Sequence, residues 1–223
     1  MFSSFQPGIK CRDTQRGRVA HSALFFFAMN IERTELEFDE IHKLMEASIL
    51  KAGEQMPADD AELEKTPEDD IIEDLLGMLI MAYERGHRDV NEMLETDLPV
   101  DDKRMYEVIY HTIDGKTFED RARTHIREED PGRLIDLAES EYHRVYNTSG
   151  NDTAETSGLA VTKTWVTMMD DRVRETHDFL EGVTLPLAER FYTIDGDSAR
   201  FPGDFMNAEN NVNCRCLLLF GRA

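Results

Sequence analysis

Thr66-Pro67-Glu68-Asp69 opens a stretch in which Ile72, Leu76, Leu79, Tyr83, His87, Val90 and Leu94 recur at helical spacing. The opening is a helix start: a hydroxyl at the cap, a proline where its missing N–H does no harm, and acids against the positive end of the helix dipole. The spacing puts the apolar residues on one face, and Ile71, Leu75 and Met78 widen it until at least half the cylinder needs cover. The rest of the chain must therefore pack around this helix. His87 on the stripe reads as a satisfied core or boundary histidine. The longest apolar run, Leu75 to Tyr83 with Gly77 inside it, is about half of the roughly 20 residues that a bilayer crossing needs, so no membrane span is expected.

Charge limits the partners. With 46 acidic and 25 basic side chains among 223 residues, the formal net charge is -21, and the molecule as a whole repels phosphate backbones and anionic membranes. Between Glu54 and Asp102 there are 17 acids and 3 bases, a solvated face first and a site for a basic partner second. The segment 1–28 runs the other way, with 4 basic and 1 acidic residues, and superficially imitates a signal peptide. Its apolar stretch, Ala23 to Ala28, is shorter than a signal core of roughly 7–15 residues, and no cleavage motif follows. It is expected to be a disordered leader or an upstream start of the reading frame; the alternative is a basic arm docking on an acidic neighbour. Cys11, Cys214 and Cys216 form no secreted disulfide framework, which favours a reducing cytoplasm.

Start and stop signals divide the remainder. Thr34 and Glu37 fit a capping box, followed by Phe38, Ile41, Met45, Ile49 and Ala52 on one stripe and an acidic loop over 54–65. Short helices are predicted over Met105–Tyr110 and from Phe118 to about Glu129, the latter capped by Thr117. Asp130-Pro131-Gly132 restarts the chain into a helix bearing Leu134, Ala138, Glu141 and Val145, which fades into Asn147–Asp152, a loop or a loosened helical turn. From Leu159 the texture changes. Val161–Thr167 alternates like a strand, Arg172–Leu180 reads as a short helix ended by Gly182, Phe191–Ile194 and Ala199–Phe201 flank a turn, and Cys214–Phe220 reads as a closing strand. The expected fold class is α+β: after the leader, a helical region over 29–156, then a small α+β unit with a short sheet over 157–220.

The C-terminal unit concentrates the residues with chemistry. In a strand, Cys214 and Cys216 share a face because side chains alternate. With His177 nearby they supply three of the four ligands of a zinc site, and Asp170 or Asp204 would be the fourth. The plainer alternative is favoured here, because no second Cys-x-x-Cys or His-x-x-His pair accompanies them. In it the cysteines pack as small buried hydrophobes, His177 hydrogen-bonds a carboxylate, the asparagines satisfy turn backbone, and no cofactor is bound. An enzymatic reading makes His177 a general base oriented by Asp170, with Arg172 or Arg215 stabilising an anion or Cys214 as nucleophile. No nucleophile elbow or paired-carboxylate motif supports it, and no catalytic activity is expected.

Six ordered elements point to a family. They are Lys163-Thr164-Trp165; Asp170-x-Arg172-x-Arg174-x-x-His177; Leu180-Glu181-Gly182; Leu185-Pro186-Leu187 with Phe191; Phe201-Pro202-Gly203-Asp204; and Asn210-x-x-Asn213-Cys214-Arg215-Cys216. In order and spacing they resemble the Mu F-like phage head morphogenesis proteins, and the preceding helix from Ala138 to Asn147 resembles that family's too. Glu181 stands where an Asp is usual and Glu139 where a base is common; residues 1–130 carry no matching motif. The resemblance implies a minor head (minor capsid) protein of a tailed bacteriophage, acting in procapsid assembly near the portal. It would meet portal and capsid or scaffold proteins in the host cytoplasm and end in the virion. It also implies weak DNA contact through the leader or the Arg-bearing unit. The runner-up is a small hydrolase or toxin-type enzyme centred on His177 and Cys214.

Overall fold

The computed structural model describes residues 66–223; the predicted leader, the helix from Thr34 and the acidic loop lie outside them. α1 (Pro67–Leu94) starts as its sequence requires: the Thr66 side chain accepts from the Asp69 amide, and the Asp69 carboxylate accepts from the Thr66 amide. It buries Ile71, Ile72, Leu75, Met78, Leu79, Ala82, Tyr83, Val90 and Leu94. The buried face thus centres on Leu75, Leu79 and Ala82, and Leu76, placed on the stripe by spacing, is only half-buried at its margin. His87 is satisfied as expected, with Nδ1 donating to the Thr153 hydroxyl at 2.8 Å and Nε2 accepting from the Asn91 side-chain amide at 3.0 Å. Among the described residues, no helix is long and apolar enough to cross a membrane.

α2 (Asp102–Ile109), α3 (Phe118–Arg127) and α4 (Pro131–Thr156) cover α1. Each has a carboxylate or hydroxyl at its cap, from Asp101, Thr117 and Asp130. Polar ties fix the set: Arg104 of α2 donates to Asp152 of α4 at 2.7 Å, and Arg123 of α3 donates to Glu68 at the start of α1 at 2.9 Å. Glu141 of α4 is buried between Arg121 at 2.9 Å and Arg144 at 2.8 Å.

The polar run Asn147–Asp152 is regular helix, neither loop nor loosened turn. The Thr148 and Thr153 hydroxyls donate to the carbonyls four residues back, at 2.7 and 2.8 Å, so these side chains satisfy themselves inside a buried helix. Ser149 donates to the Tyr83 carbonyl of α1 at 2.6 Å. α1 and α4 approach so closely at Gly86 that a Cβ there would lie 2.3 Å from the Tyr146 carbonyl oxygen. Backbone cannot yield as a flexible side-chain end can, so Gly86→Ala will force the helices apart. A loss of about 1–3 kcal/mol is expected, read from the urea midpoint; an unchanged midpoint would show that the crossing is looser than described.

The C-terminal unit is built on a three-stranded antiparallel sheet in the order β2 (Thr184–Pro186), β1 (Val161–Val166), β5 (Leu217–Arg222). β1 pairs Lys163 with Phe220 and Trp165 with Leu218. Val161, Lys163 and Trp165 face inward. Lys163 has no exposure; its Nζ donates to the Arg200 carbonyl at 2.8 Å and lies over the Phe191 ring, and burial, with Arg200 nearby, lowers its pKa to about 8. Between the strands lie α5 (Glu175–Asp178), the hairpin of β3 (Phe191–Tyr192) and β4 (Ser198–Ala199), and α6 (Ala208–Asn211). The predicted helix over 172–180 is therefore a single turn. The predicted strand from Cys214 begins only at Leu217, because Asn213 adopts the left-handed conformation (φ 56°) and turns the chain. Val90 and Leu94 of α1 and Ala154 of α4 share one core with Trp165, Phe191, Phe205, Cys214, Cys216 and Phe220. The fold is α+β, helical first and then a small antiparallel sheet.

Candidate functional site

His177 and the two C-terminal cysteines meet inside this core. His177 sits in the one-turn α5, its amide donating to the Arg174 carbonyl at 2.9 Å. Its ring stacks on Phe205 (5.1 Å between centroids) and meets Trp165 edge-on (5.6 Å). That packing aims Nδ1 at both sulfurs, 3.5 Å from Cys214 Sγ and 3.6 Å from Cys216 Sγ, while Nε2 is buried with no hydrogen-bond partner among the described residues. His177 is 1% exposed, Cys214 5% and Cys216 4%, so the cluster is closed to anything larger than a small molecule. The sulfurs share a side, as alternation suggested, but they do so from the turn that precedes β5.

The sulfur pair is electrostatically split. A hydrogen bond from Cys216, opposed by burial and reinforced by His177, holds the Cys214 thiol well below the usual range. Donation to Cys214, together with burial, pushes Cys216 up.

The cysteine segment is anchored at Asn213, Arg215 and Cys216. The Asn213 amide donates to the Ser140 hydroxyl of α4 at 2.9 Å, and that hydroxyl donates back to Asn213 Oδ1 at 3.0 Å. Arg215 makes a two-pronged pair with Asp170 at 2.8 and 2.7 Å, which holds the Asp170 carboxyl below the usual range. Asn147 of α4 donates to the Cys216 carbonyl at 3.0 Å. Among the described residues His177 therefore has no carboxylate partner, and Asp170 neither orients it nor joins the sulfurs. Asp204 is equally committed, accepting from the Arg200 amide at 2.9 Å and its Nε at 3.2 Å. Neither acid is a fourth ligand in this arrangement.

The other motif residues shape the frame. Trp165 is fully buried against Phe191 and Phe205. Gly182, at φ +71°, donates to the Trp165 carbonyl at 2.9 Å, and Glu181, the departure from Asp, caps the end of β1 by accepting from the Thr167 amide at 2.6 Å. Arg174 donates to the Val212 carbonyl, and Arg172 is exposed. Pro202 is buried, and Gly203, at φ +96°, lies against Arg144 of α4. Asn210 donates to Asp195 and Asp197, both at 3.1 Å. Buried Asp197 also accepts from the amides of Ser198, Met206 and Asn207, so it organises the whole turn. Asp197 was not singled out from the sequence, and the interior roles of Glu141, Asn147 and Lys163, which the sequence places on a helix stripe, in a polar run and in the first motif, were not read from it. Their only signal was a polar residue within an apolar pattern, and that pattern does not reveal what satisfies it.

A helical support carrying a small α+β unit, closed by an aromatic-packed Cys-x-Cys and His cluster, is the class of protein that this architecture defines. The chain belongs to the family described as Phage Mu protein F like protein, whose model matches residues 102–219. The family match reaches back through α2 and α3, beyond the motifs that stop near Ala138; those two helices carry only generic caps and stripes. Over 115 residues the chain is 32% identical to the NAD(+)--arginine ADP-ribosyltransferase EFV of Enterococcus faecalis (strain ATCC 700802 / V583), covering 49% of this chain and 23% of that protein. Over 85 residues it is 33% identical to the Minor head protein GP7 of Bacillus phage SPP1, covering 37% of this chain and 28% of that one. The chain thus spans about a quarter of the length of these relatives. No solved structure matches it.

Proposed function

We propose that this chain is a minor head protein of a tailed bacteriophage, acting in head morphogenesis near the portal and carried into the virion. The observation that carries this reading is the family match over 102–219. It takes in all six motifs and α2 to α4, and the relative from Bacillus phage SPP1 bears the name of a head protein. The geometry suits docking. Most motif residues spend their polar groups on holding the unit together, and the unit leaves Phe179, Tyr192, Ile194 and Met206 more than half exposed as apolar contact points. The outward face of α1, with Asp74, Glu84 and Glu92 exposed, suits a basic surface on a portal, capsid or scaffold subunit. The net charge of -21 allows no more than weak contact with the genome.

The enzymatic alternative draws on the ADP-ribosyltransferase name of the Enterococcus relative and on the His177 and Cys214 contact. Against it stand the commitment of Asp170 to Arg215 and the burial of all three cluster residues. Deleting the reading frame from the phage and counting heads by electron microscopy tests the proposal. The expected result is a large loss of normal heads, restored by the intact chain; normal head numbers without the chain would overturn it.

A further inference from the structure

We propose that His177, Cys214 and Cys216 bind one zinc ion through Nδ1 and the two sulfurs, a site that goes beyond the head-protein reading and does not depend on it. The three ligand atoms all lie within 4.8 Å of one another. Zinc at about 2.3 Å from a thiolate and about 2.0 Å from an imidazole nitrogen, in tetrahedral geometry, sets the S···N edge at about 3.6 Å. The two edges here are 3.5 and 3.6 Å, so both nitrogen–sulfur spacings match those of a bound ion.

The surroundings hold the donors ready. The imidazole is clamped between Phe205 and Trp165, Asn213 and Arg215 are tied to Ser140 and Asp170, and Asn147 fixes the Cys216 carbonyl. Such supporting contacts orient metal ligands before the ion arrives. Two soft sulfurs and one imidazole in a tetrahedral set select zinc over magnesium or calcium, which take oxygen ligands. The ligand atoms border a recess of about 10 Å³, lined also by Arg172, Arg174 and Asn213, which holds about one water. That water completes the coordination. The ion ties α5 to the entry of β5 across sequence separations of 37 and 39 residues, through a stretch whose own strands and helices are two to four residues long. Small units with little regular structure gain most from such a clip.

The test uses the full chain, without a histidine tag, purified without chelators. Elemental analysis is expected to find about one zinc per chain, and cobalt exchange is expected to give tetrahedral visible absorption with charge-transfer bands from two thiolates. Cys214→Ser and Cys216→Ser should each weaken cobalt binding at least tenfold, while Cys11→Ser should not. Chelation should lower the melting temperature of the wild type. Should the two serine variants fail to fold, the wild-type cobalt spectrum decides alone, since it reports whether two thiolates bind. Metal-free protein that takes up neither zinc nor cobalt, or zinc whose binding survives both serine substitutions, would overturn the site.

Discussion

Trp165→Ala will destabilise the protein by about 3–5 kcal/mol, measured as the loss of unfolding free energy in denaturant. Trp165 is fully buried near the end of β1, where its amide donates to the Val183 carbonyl at 3.0 Å and its carbonyl accepts from Gly182 at 2.9 Å. Its ring is the hub of an aromatic set, 5.0 Å from Phe191, 5.6 Å from His177 and 5.7 Å from Phe205. Truncation removes the transfer energy of the indole and leaves a cavity that short strands held by a three-stranded sheet cannot close. The same change should loosen the His177 ring, so cobalt affinity should fall along with stability. A loss under about 1 kcal/mol would mean that the core of the unit lies elsewhere.

Glu141→Ala is expected to cost about 3–5 kcal/mol, because it leaves Arg121 and Arg144 facing each other with their shared acceptor gone. Glu141 is 3% exposed. Burial raises its pKa, but Arg144 and Arg121 overcome that and hold the carboxyl below its usual 4.5. The sign for pH follows from that depression. A carboxylate with a lowered folded pKa contributes stability that is complete above the unfolded value, about 4.5, and is lost as pH falls through the folded one. The wild type should therefore lose stability below about pH 4.5 more steeply than Glu141→Gln, measured by denaturation at several pH values. Equal slopes would remove Glu141 from the account of acid lability.

Much of this was legible in the chain. Thr66-Pro67-Glu68-Asp69 announces α1 without ambiguity, because cap, proline and acids all serve the same helix end. The Trp165 strand shows in its alternation, since one sheet face is buried. What escaped was wherever polar groups satisfy each other in the interior. Asn147–Asp152 read as a loop or a loosened turn because threonine and serine favour turns, yet inside α4 Thr148 bonds back to its own helix and Ser149 bonds across to α1. Lys163 sits inward because one carbonyl and one ring receive it, neither of them near in sequence. The cysteines were placed on a common face by strand alternation, whereas the left-handed Asn213 and the Arg215–Asp170 pair do that work. The missing carboxylate beside His177 has the same origin: Asp170 is adjacent in the motif but is spent on Arg215.

As a head protein, this chain would be a built-in part of the phage particle. Quantitative mass spectrometry of gradient-purified virions tests that most directly, and peptides from 66–223 should appear at a fixed ratio to the portal protein. Particles that are complete and infectious yet contain none of these peptides would contradict it.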